Sequence, residues 1–431
     1  MMHSDDIKRK MMKLWKDIFH DTDLYISLVF DNYFNLELIE YVEENGRIIS
    51  ALLGVPYEFG CGNQKLMGLY LCGLATDEEF RNRGIMNELI ERINKSAKEK
   101  GYAFTFLIPS SDALINYYSV RGYVNAMYRV EDCYTQIHDF EKDYLSMLSR
   151  EDDRVKKLKE KYYHSLQTTL ISEKDTDIID KIVAYIRNSE SDISTYLTLQ
   201  HSEKDIELII KENIISGGKI AVSHTTDGKL TGVAFISVDY KKRVMIRKMY
   251  YDDNCSLYKI LDFVKKTYAD SPVSLFCYPE ETDRRALWMK VYGASNPDGG
   301  NLEGAYGISE RVYDVSRHAR PYGMIRILDI REILKFLANY RTDVKFSILM
   351  KGESDGEKIL KCTVNEGKIK FDEINEAELK NQRKNEGAIT TTYLKRKELL
   401  ELLFRKKDSS NLIMEAFGIP RIPTNMCLLL D

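Results

Sequence analysis

The chain has 431 residues, 44% hydrophobic and 30% charged, a balance that fits folded globular domains and excludes a disordered, collagen-like or coiled-coil rod. Its 63 Lys and Arg stand against 67 Asp and Glu, so the net charge of −4 gives no overall field toward nucleic acid or an anionic membrane. At roughly 150 residues per domain the length makes room for about three domains.

The opening residues, MMHSDDIKRKMMKLWKDIFHD, interleave acids and bases and fit neither a signal peptide nor a transit peptide. The longest apolar stretch, around Met67 to Ala75, is far too short to cross a bilayer, so cytoplasmic residence is the expectation. Alternation from Leu36 to Glu43, the pair Asn45-Gly46 and a second alternating run from Arg47 to Phe59 predict a hairpin with a type I′ turn. A strand is predicted over Lys65 to Thr76. From Gly84, Ile85, Met86, Leu89, Ile90 and Ile93 recur at helical spacing, lysines fill the last turn and Gly101 is the stop. A strand over Tyr102 to Pro109, a short helix from near Ser111, a break at Arg121-Gly122 and a strand from Tyr123 follow.

Ser149 to Lys161 is charged and reads as an exposed helix or a linker. Beyond it the pattern recurs. KIAVSHTTDGKLTGVAFISVDY predicts a hairpin at Asp227-Gly228, Arg243 to Tyr251 a further strand, and Met289-Lys-Val-Tyr-Gly293 echoes Tyr118-Ser-Val-Arg-Gly122. We read this as an internal duplication whose second copy, with YDDNCSLYKIL in place of EEFRNRGIM, lacks the first copy's arginines and glycine. A third region from Met324 shows a helical period (MIRILDIREILKFLANY), then a meander with turns at Ser354-Asp-Gly and Asn365-Glu-Gly, the pattern of a small α+β domain. The apolar end, Asn425 to Asp431, predicts a terminus docked inside the structure rather than frayed.

Seven scattered cysteines without a CxxC, and seven histidines without HExxH or triad spacing, predict neither a disulfide framework nor a metal site. Cys72 reads as a structural cysteine in apolar surroundings, and Trp15 and Trp288 as core or rim aromatics. The block that carries chemistry is Leu71 to Met86, LCGLATDEEFRNRGIM. A strand running into a loop with Arg81, Arg83 and Gly84, and then opening a helix, brings free backbone N–H groups and guanidinium groups to one point, which suits a diphosphate. From the residues alone, RNRG serves equally as an anion site or as a plain basic helix start.

The element Arg81-Asn-Arg-Gly84-Ile-Met86, set between strand and helix, resembles the acetyl-coenzyme A loop of the GNAT N-acetyltransferases. The order of a GNAT unit, a degenerate GNAT unit and a small sterol-carrier-like domain is similar to the Eis-like (enhanced intracellular survival) acetyltransferases, over essentially the whole chain. Met86 stands where many GNATs have Gly or Ala. The resemblance implies a mixed α+β (α/β) fold: two GNAT-type domains with central mixed sheets flanked by helices, over residues 1–134 and 135–321, then a sterol-carrier-like domain over 322–431. It implies that Cys72, Gly73 and Leu74 bind the pantetheine arm through their backbone, that Asn82, Arg83, Gly84, Ile85, Met86 and Asn87 cradle the diphosphate, and that Tyr118 and Ser119 flank the thioester. It gives Tyr123 the role of general acid toward the leaving thiolate and the terminal carboxylate of Asp431 that of base toward the amine.

The implied activity is acetyl transfer from acetyl-CoA to a primary amine such as an aminoglycoside, polyamine or lysine, with no metal, in a homohexamer. Two other classes compete: a non-catalytic CoA or lipid binding protein, which needs neither Tyr123 nor a free terminus, and an aminoacyl transferase drawing on charged tRNA, which calls for basic runs longer than Lys156-Lys157 or Arg405-Lys-Lys407.

Overall fold

The computed structural model describes residues 2–134, 139–171, 175–191, 196–239, 242–279, 319–350, 359–375, 391–405 and 421–425. The expectations for Asp431 and its apolar lead-in, for Trp288, for Met289 to Gly293 and for the turn at Ser354 lie outside these residues. By internal contacts the chain divides into two units, residues 1–128, 193–200 and 321–426 forming one and most of the remainder the other.

The first unit opens with α1 (Met2–Phe19) and α2 (Asp23–Tyr33), the latter capped by the Thr22 side chain on the Tyr25 N–H. Ile7, Met11, Leu14 and Trp15 form a buried stripe along the otherwise charged α1, the period of a helix lying on a core. A meander follows: β1 (Ile39–Glu44), β2 (Arg47–Cys61) and β3 (Gln64–Thr76) pair antiparallel in turn. Asn45 and Gly46 have φ of 50° and 78°, the left-handed pair that a type I′ turn demands. Helix α3 (Ile85–Glu99) crosses over to β4 (Phe104–Leu107), parallel to β3, and buries Leu89, Ile90, Ile93 and Ala97 against Leu52, Leu69, Leu71 and Leu107. Next come α4 (Asp112–Ser119), capped by Ser111, and β5 (Val124–Tyr134), along which the division between the units falls.

The second unit contains α5 (Phe140–Met147), α6 (Asp153–Ser165), β6 (Gln167–Ile171) and α7 (Thr176–Ser191). The charged stretch is thus a helix, α6, exposed along most of its length while Tyr163 is buried. The short β7 (Leu197–Gln200) returns to the first unit and pairs antiparallel with β2. Then α8 (Glu203–Ile215), β8 (Lys219–His224), β9 (Leu230–Val238), β10 (Val244–Tyr251), α9 (Asn254–Thr267) and β11 (Val273–Cys277) complete the second unit. Strands β8, β9 and β10 pair antiparallel and β10 pairs parallel with β11 across α9, the same sequence of pairings as β1 to β4 across α3.

After that, β12 (Arg320–Ile327) adds antiparallel to β4, from Met324 opposite Leu107 to Ile327 opposite Phe104. This corrects the helical reading from Met324. Residues 324–327 are a strand, and the helical period belongs only to α10 (Ile330–Tyr340), which starts where the Asp329 side chain accepts from the Arg331 N–H. A smaller sheet in the order β15-β14-β13-β16 comprises β13 (Lys345–Met350), β14 (Ile359–Asn365), β15 (Lys368–Ile374) and β16 (Thr391–Leu394). The expected turn after Asn365 is present, with Glu366 and Gly367 both at positive φ. Helix α11 (Arg396–Leu403) buries Leu399, Leu400, Leu402 and Leu403, and the chain re-enters the first unit's main sheet as β17 (Thr424–Asn425), parallel to both β7 and β5.

Candidate active site

Strands β3 and β4 stay together only as far as Tyr70 opposite Phe106. Strand β4 ends at Leu107 while β3 runs on to Thr76, and among the described residues no strand pairs with Cys72, Gly73 or Leu74 on the β4 side. All three are half-buried. The β2–β3 ladder slips here, between Ala51 opposite Ala75 and Leu53 opposite Cys72, and Gly73 takes a φ of 59°. A side chain at Gly73 would collide with Trp15, whose ring comes within 2.1 Å of where a Cβ would lie. The indole N–H of Trp15 in turn donates to Asp21 at 2.7 Å. The bulge thus bends β3 away from β4 and leaves a backbone edge of the kind to which an extended amide chain adds.

The loop after β3 is fastened by the Asp77 N–H on the Ile49 carbonyl at 2.9 Å. Asn82 sits at φ 63° and Gly84 at φ 79°, and α3 begins without a side-chain cap, so its first N–H groups have no side chain taking them up. A Cβ at Gly84 would meet nothing within 4 Å: the glycine answers to backbone conformation and open approach, not to internal packing. Arg81 donates from Nε to the Thr76 carbonyl at 3.1 Å and pairs with Glu78 at 3.2 Å, and Arg83 donates to the Glu79 carbonyl at 2.8 Å. Asn82, Arg83 and Gly84 are exposed, while Ile85, Met86 and Asn87 are half-buried in the first turn of α3. Uncapped N–H groups at a helix start, flanked by guanidinium groups, are suited to a diphosphate. The corresponding position in the second unit is closed. There the Asp253 carboxylate caps α9, accepting from the Ser256 N–H at 2.8 Å and its hydroxyl at 2.9 Å, which places a negative charge where an anion would have to go.

Tyr118 and Tyr123 flank the turn from α4 into β5, closed by the Tyr123 N–H on the Tyr118 carbonyl at 3.2 Å, with Gly122 at φ 82°. Their rings meet edge to face at 5.7 Å. Ser119 is half-buried beside them. The Tyr123 side chain is fully enclosed, and its hydroxyl lies 3.1 Å from Thr105 Oγ1, which itself donates to Asn94 Oδ1 at 2.6 Å. Because a threonine hydroxyl has a single proton, Tyr123 is the donor of its bond to Thr105. Burial pushes the Tyr123 phenol up to about 12, a rise only partly opposed by the Arg326 charge. The Tyr118 phenol is also raised by burial, with Tyr123 and Tyr117 adding to the effect and Arg121 opposing it, yet Tyr118 keeps 7% exposure.

The first-domain residues expected from the sequence therefore fall on three neighbouring features of one unit, namely the stretch of β3 beyond its pairing with β4, the start of α3 and the α4–β5 turn. Sequence reasoning missed Thr105 and Asn94, which lie 18 and 29 residues before Tyr123 and have no motif between them. It also missed Trp15 as the partner of Gly73.

The sequence model described as an acetyltransferase (GNAT) domain matches residues 3–126, the stretch from α1 to the start of β5. This part of the chain is a GNAT acetyltransferase domain. It makes the protein an acyltransferase, and the GNAT fold suits an acyl-CoA donor. Solved structures with a similar fold include a GCN5-related N-acetyltransferase from Anabaena variabilis, with a TM-score of 0.61 and 13% identity over 97% of this chain and 96% of that one. A probable N-acyltransferase from Enterococcus faecalis matches with a TM-score of 0.60 and 12% identity, covering 95% and 90% of the two chains. Eis1 from Mycobacterium abscessus matches with 0.54 and 9% identity over 85% and 83%. No curated protein matches the chain in sequence. At these identities the likeness is one of fold, and the mixed α+β architecture agrees with it. No described helix is long and apolar enough to cross a membrane.

Proposed function

We propose that the protein is a cytoplasmic, acetyl-CoA-dependent N-acetyltransferase that moves an acetyl group to a primary amine by direct attack. The observation that carries this reading is the parting of β3 and β4 beside the uncapped start of α3, within the GNAT domain. In this reading the pantetheine arm lies along Cys72, Gly73 and Leu74 as an added strand. The diphosphate sits on Asn82 to Asn87, where the conformation of Gly84 leaves room for it. Tyr118 and Ser119 flank the thioester.

The reaction needs a proton for the departing thiolate and a group to take one from the acceptor's ammonium, so that the free amine attacks the thioester carbonyl. Tyr123 is the first candidate for the acid, because a phenol kept protonated by burial is a competent donor. A second reading is favoured by one observation: the Tyr123 proton already points inward to Thr105, whereas Tyr118, in ring contact with it, retains exposed surface. The base in our reading is the terminal carboxylate of Asp431. What supports it is the anchoring of Thr424, 3% exposed and opposite Met127 of β5, four residues after Tyr123.

We extend the reading to the division of the chain into a catalytic domain (1–134), a degenerate GNAT-like domain (135–321) and a sterol-carrier-like domain (322–431), and to assembly as a hexamer. The acceptor is a small molecule or peptide bearing an amine, without nucleic acid or membrane. The experiment is acetyl-CoA turnover followed by thiol release with an unmodified C-terminus, across aminoglycosides, polyamines, lysine peptides and arylalkylamines. Acceptor-dependent release is expected. CoA binding with no release for any amine would leave a CoA-binding protein instead.

A further inference from the structure

Three carboxylates and three guanidinium groups converge on the loop after β3. The sequence Asp77-Glu-Glu-Phe-Arg-Asn-Arg83 supplies all but one. The sixth is Arg47, from the first residue of β2. Its register partner across the hairpin is Glu44, yet the guanidinium reaches instead to Asp77 Oδ2 and Glu79 Oε2, both at 3.3 Å. Both Arg47 and Arg83 lie over the ring of Phe80, the Arg83 guanidinium carbon 4.8 Å and that of Arg47 5.6 Å from its centroid. The ordinary alternative for Arg47 is a solvated ion pair at the foot of a hairpin, which adds little to stability and selects no ligand.

We propose that Arg47 is a third arginine of the phosphate-binding loop and that Phe80 is the positioning residue that holds Arg47 and Arg83 toward the same ligand. This rests on the reading of the loop as a coenzyme A site. An aromatic face restrains a guanidinium without neutralising it, so all its N–H donors stay available. The carboxylates of Asp77, Glu78 and Glu79 balance the three arginines until a phosphate arrives. Their pairs with Arg47 and Arg81 involve half-exposed guanidinium groups, at 54% and 47% side-chain exposure, and such screened pairs yield to a phosphate offering bidentate contacts. Arg83 needs no such exchange, since its anchor is the Glu79 backbone carbonyl.

The test compares acetyl-CoA with acetyl-pantetheine, which carries the thioester and no phosphate, through the ratio of their kcat/KM values. Arg47→Ala is expected to lower that ratio roughly tenfold. Phe80→Leu is expected to lower it about fivefold, and Phe80→Tyr, which keeps an aromatic face, to preserve it. An unchanged ratio in Arg47→Ala, or equal ratios in the leucine and tyrosine variants, overturns the inference, and a loss of turnover shared by both donors means that the residues act only on folding. If the wild-type protein itself turns over both donors equally well, the coenzyme A loop reading falls, and the inference with it.

Discussion

The hydroxyl of Tyr123 donates to Oγ1 of Thr105 across 3.1 Å, in the closed interior of the GNAT domain, and Thr105 in turn donates to Asn94 Oδ1. This chain ties the turn before β5 to β4 and α3 beneath the candidate site. Thr105→Val keeps the shape but strands two buried polar groups, and an unfolding free energy lower by about 1–3 kcal/mol is expected. Thr105→Ser, which retains the hydroxyl, should recover most of it. Urea unfolding of both variants checks this, and equal stabilities would mean that the relay is not formed.

The two tyrosines are separable by kinetics. The phenol that protonates the thiolate should, on changing to Phe, lower kcat by about 10²- to 10⁴-fold with little change in the affinity for acetyl-CoA. Our first reading expects the larger loss in Tyr123→Phe. A larger loss in Tyr118→Phe, with Tyr123→Phe costing mainly stability, would move the acid to Tyr118.

Gly84 and Gly73 both have positive φ but differ in what surrounds them. Gly84→Ala meets open space, so a stability cost of about 1–2 kcal/mol from the backbone alone is expected, together with a much larger loss of CoA affinity. Gly73→Ala drives a methyl into Trp15, and a larger loss of stability should accompany it. Calorimetric CoA titration beside thermal unfolding distinguishes the two. An unchanged CoA affinity in Gly84→Ala would remove the diphosphate from this turn.

Adding one residue after Asp431 displaces the α-carboxylate while leaving the sequence of the GNAT domain unchanged. Turnover is expected to fall at least tenfold while CoA affinity stays within about twofold. Equal turnover of the native and extended proteins would sink the terminal-base assignment.

In the second unit, His201 Nδ1 lies 2.8 Å from Glu190 Oε1, and the same carboxylate accepts from the His201 N–H and the Tyr250 hydroxyl. Burial raises the Glu190 carboxyl and lowers the imidazole, but the mutual charge and hydrogen bonds outweigh it, so Glu190 ends below its ordinary 4.5 and His201 above its ordinary 6.5. The raised histidine contributes stability that is fully present below 6.5 and is lost as pH rises through its folded value. The lowered carboxyl contributes stability present above 4.5 and lost as pH falls through its own. The pair therefore helps most between these two values. Glu190→Gln is expected to cost about 3–5 kcal/mol at pH 6 and less at pH 9, read from denaturant midpoints. A cost independent of pH would show that the pair does not hold a charged histidine.

Local chemistry was enough to determine the Asn45-Gly46 hairpin, the β3–loop–α3 unit and the Gly101 stop, because each is fixed by positive φ, capping and periodicity within a dozen residues. The arginines and glycine of the loop were legible for the same reason. Only the tertiary structure decided that residues 324–327 are a strand, since a short apolar run satisfies a strand edge or a helix face equally until β4 offers it hydrogen bonds. It also decided that Tyr123 is sealed against Thr105 and Asn94, that Trp15 lies on Gly73, and that Arg47 turns from its hairpin partner to the loop. These contacts join residues 18 to 58 positions apart. Sequence periodicity carries no record of such pairs, because packing, and not local conformational preference, brings them together.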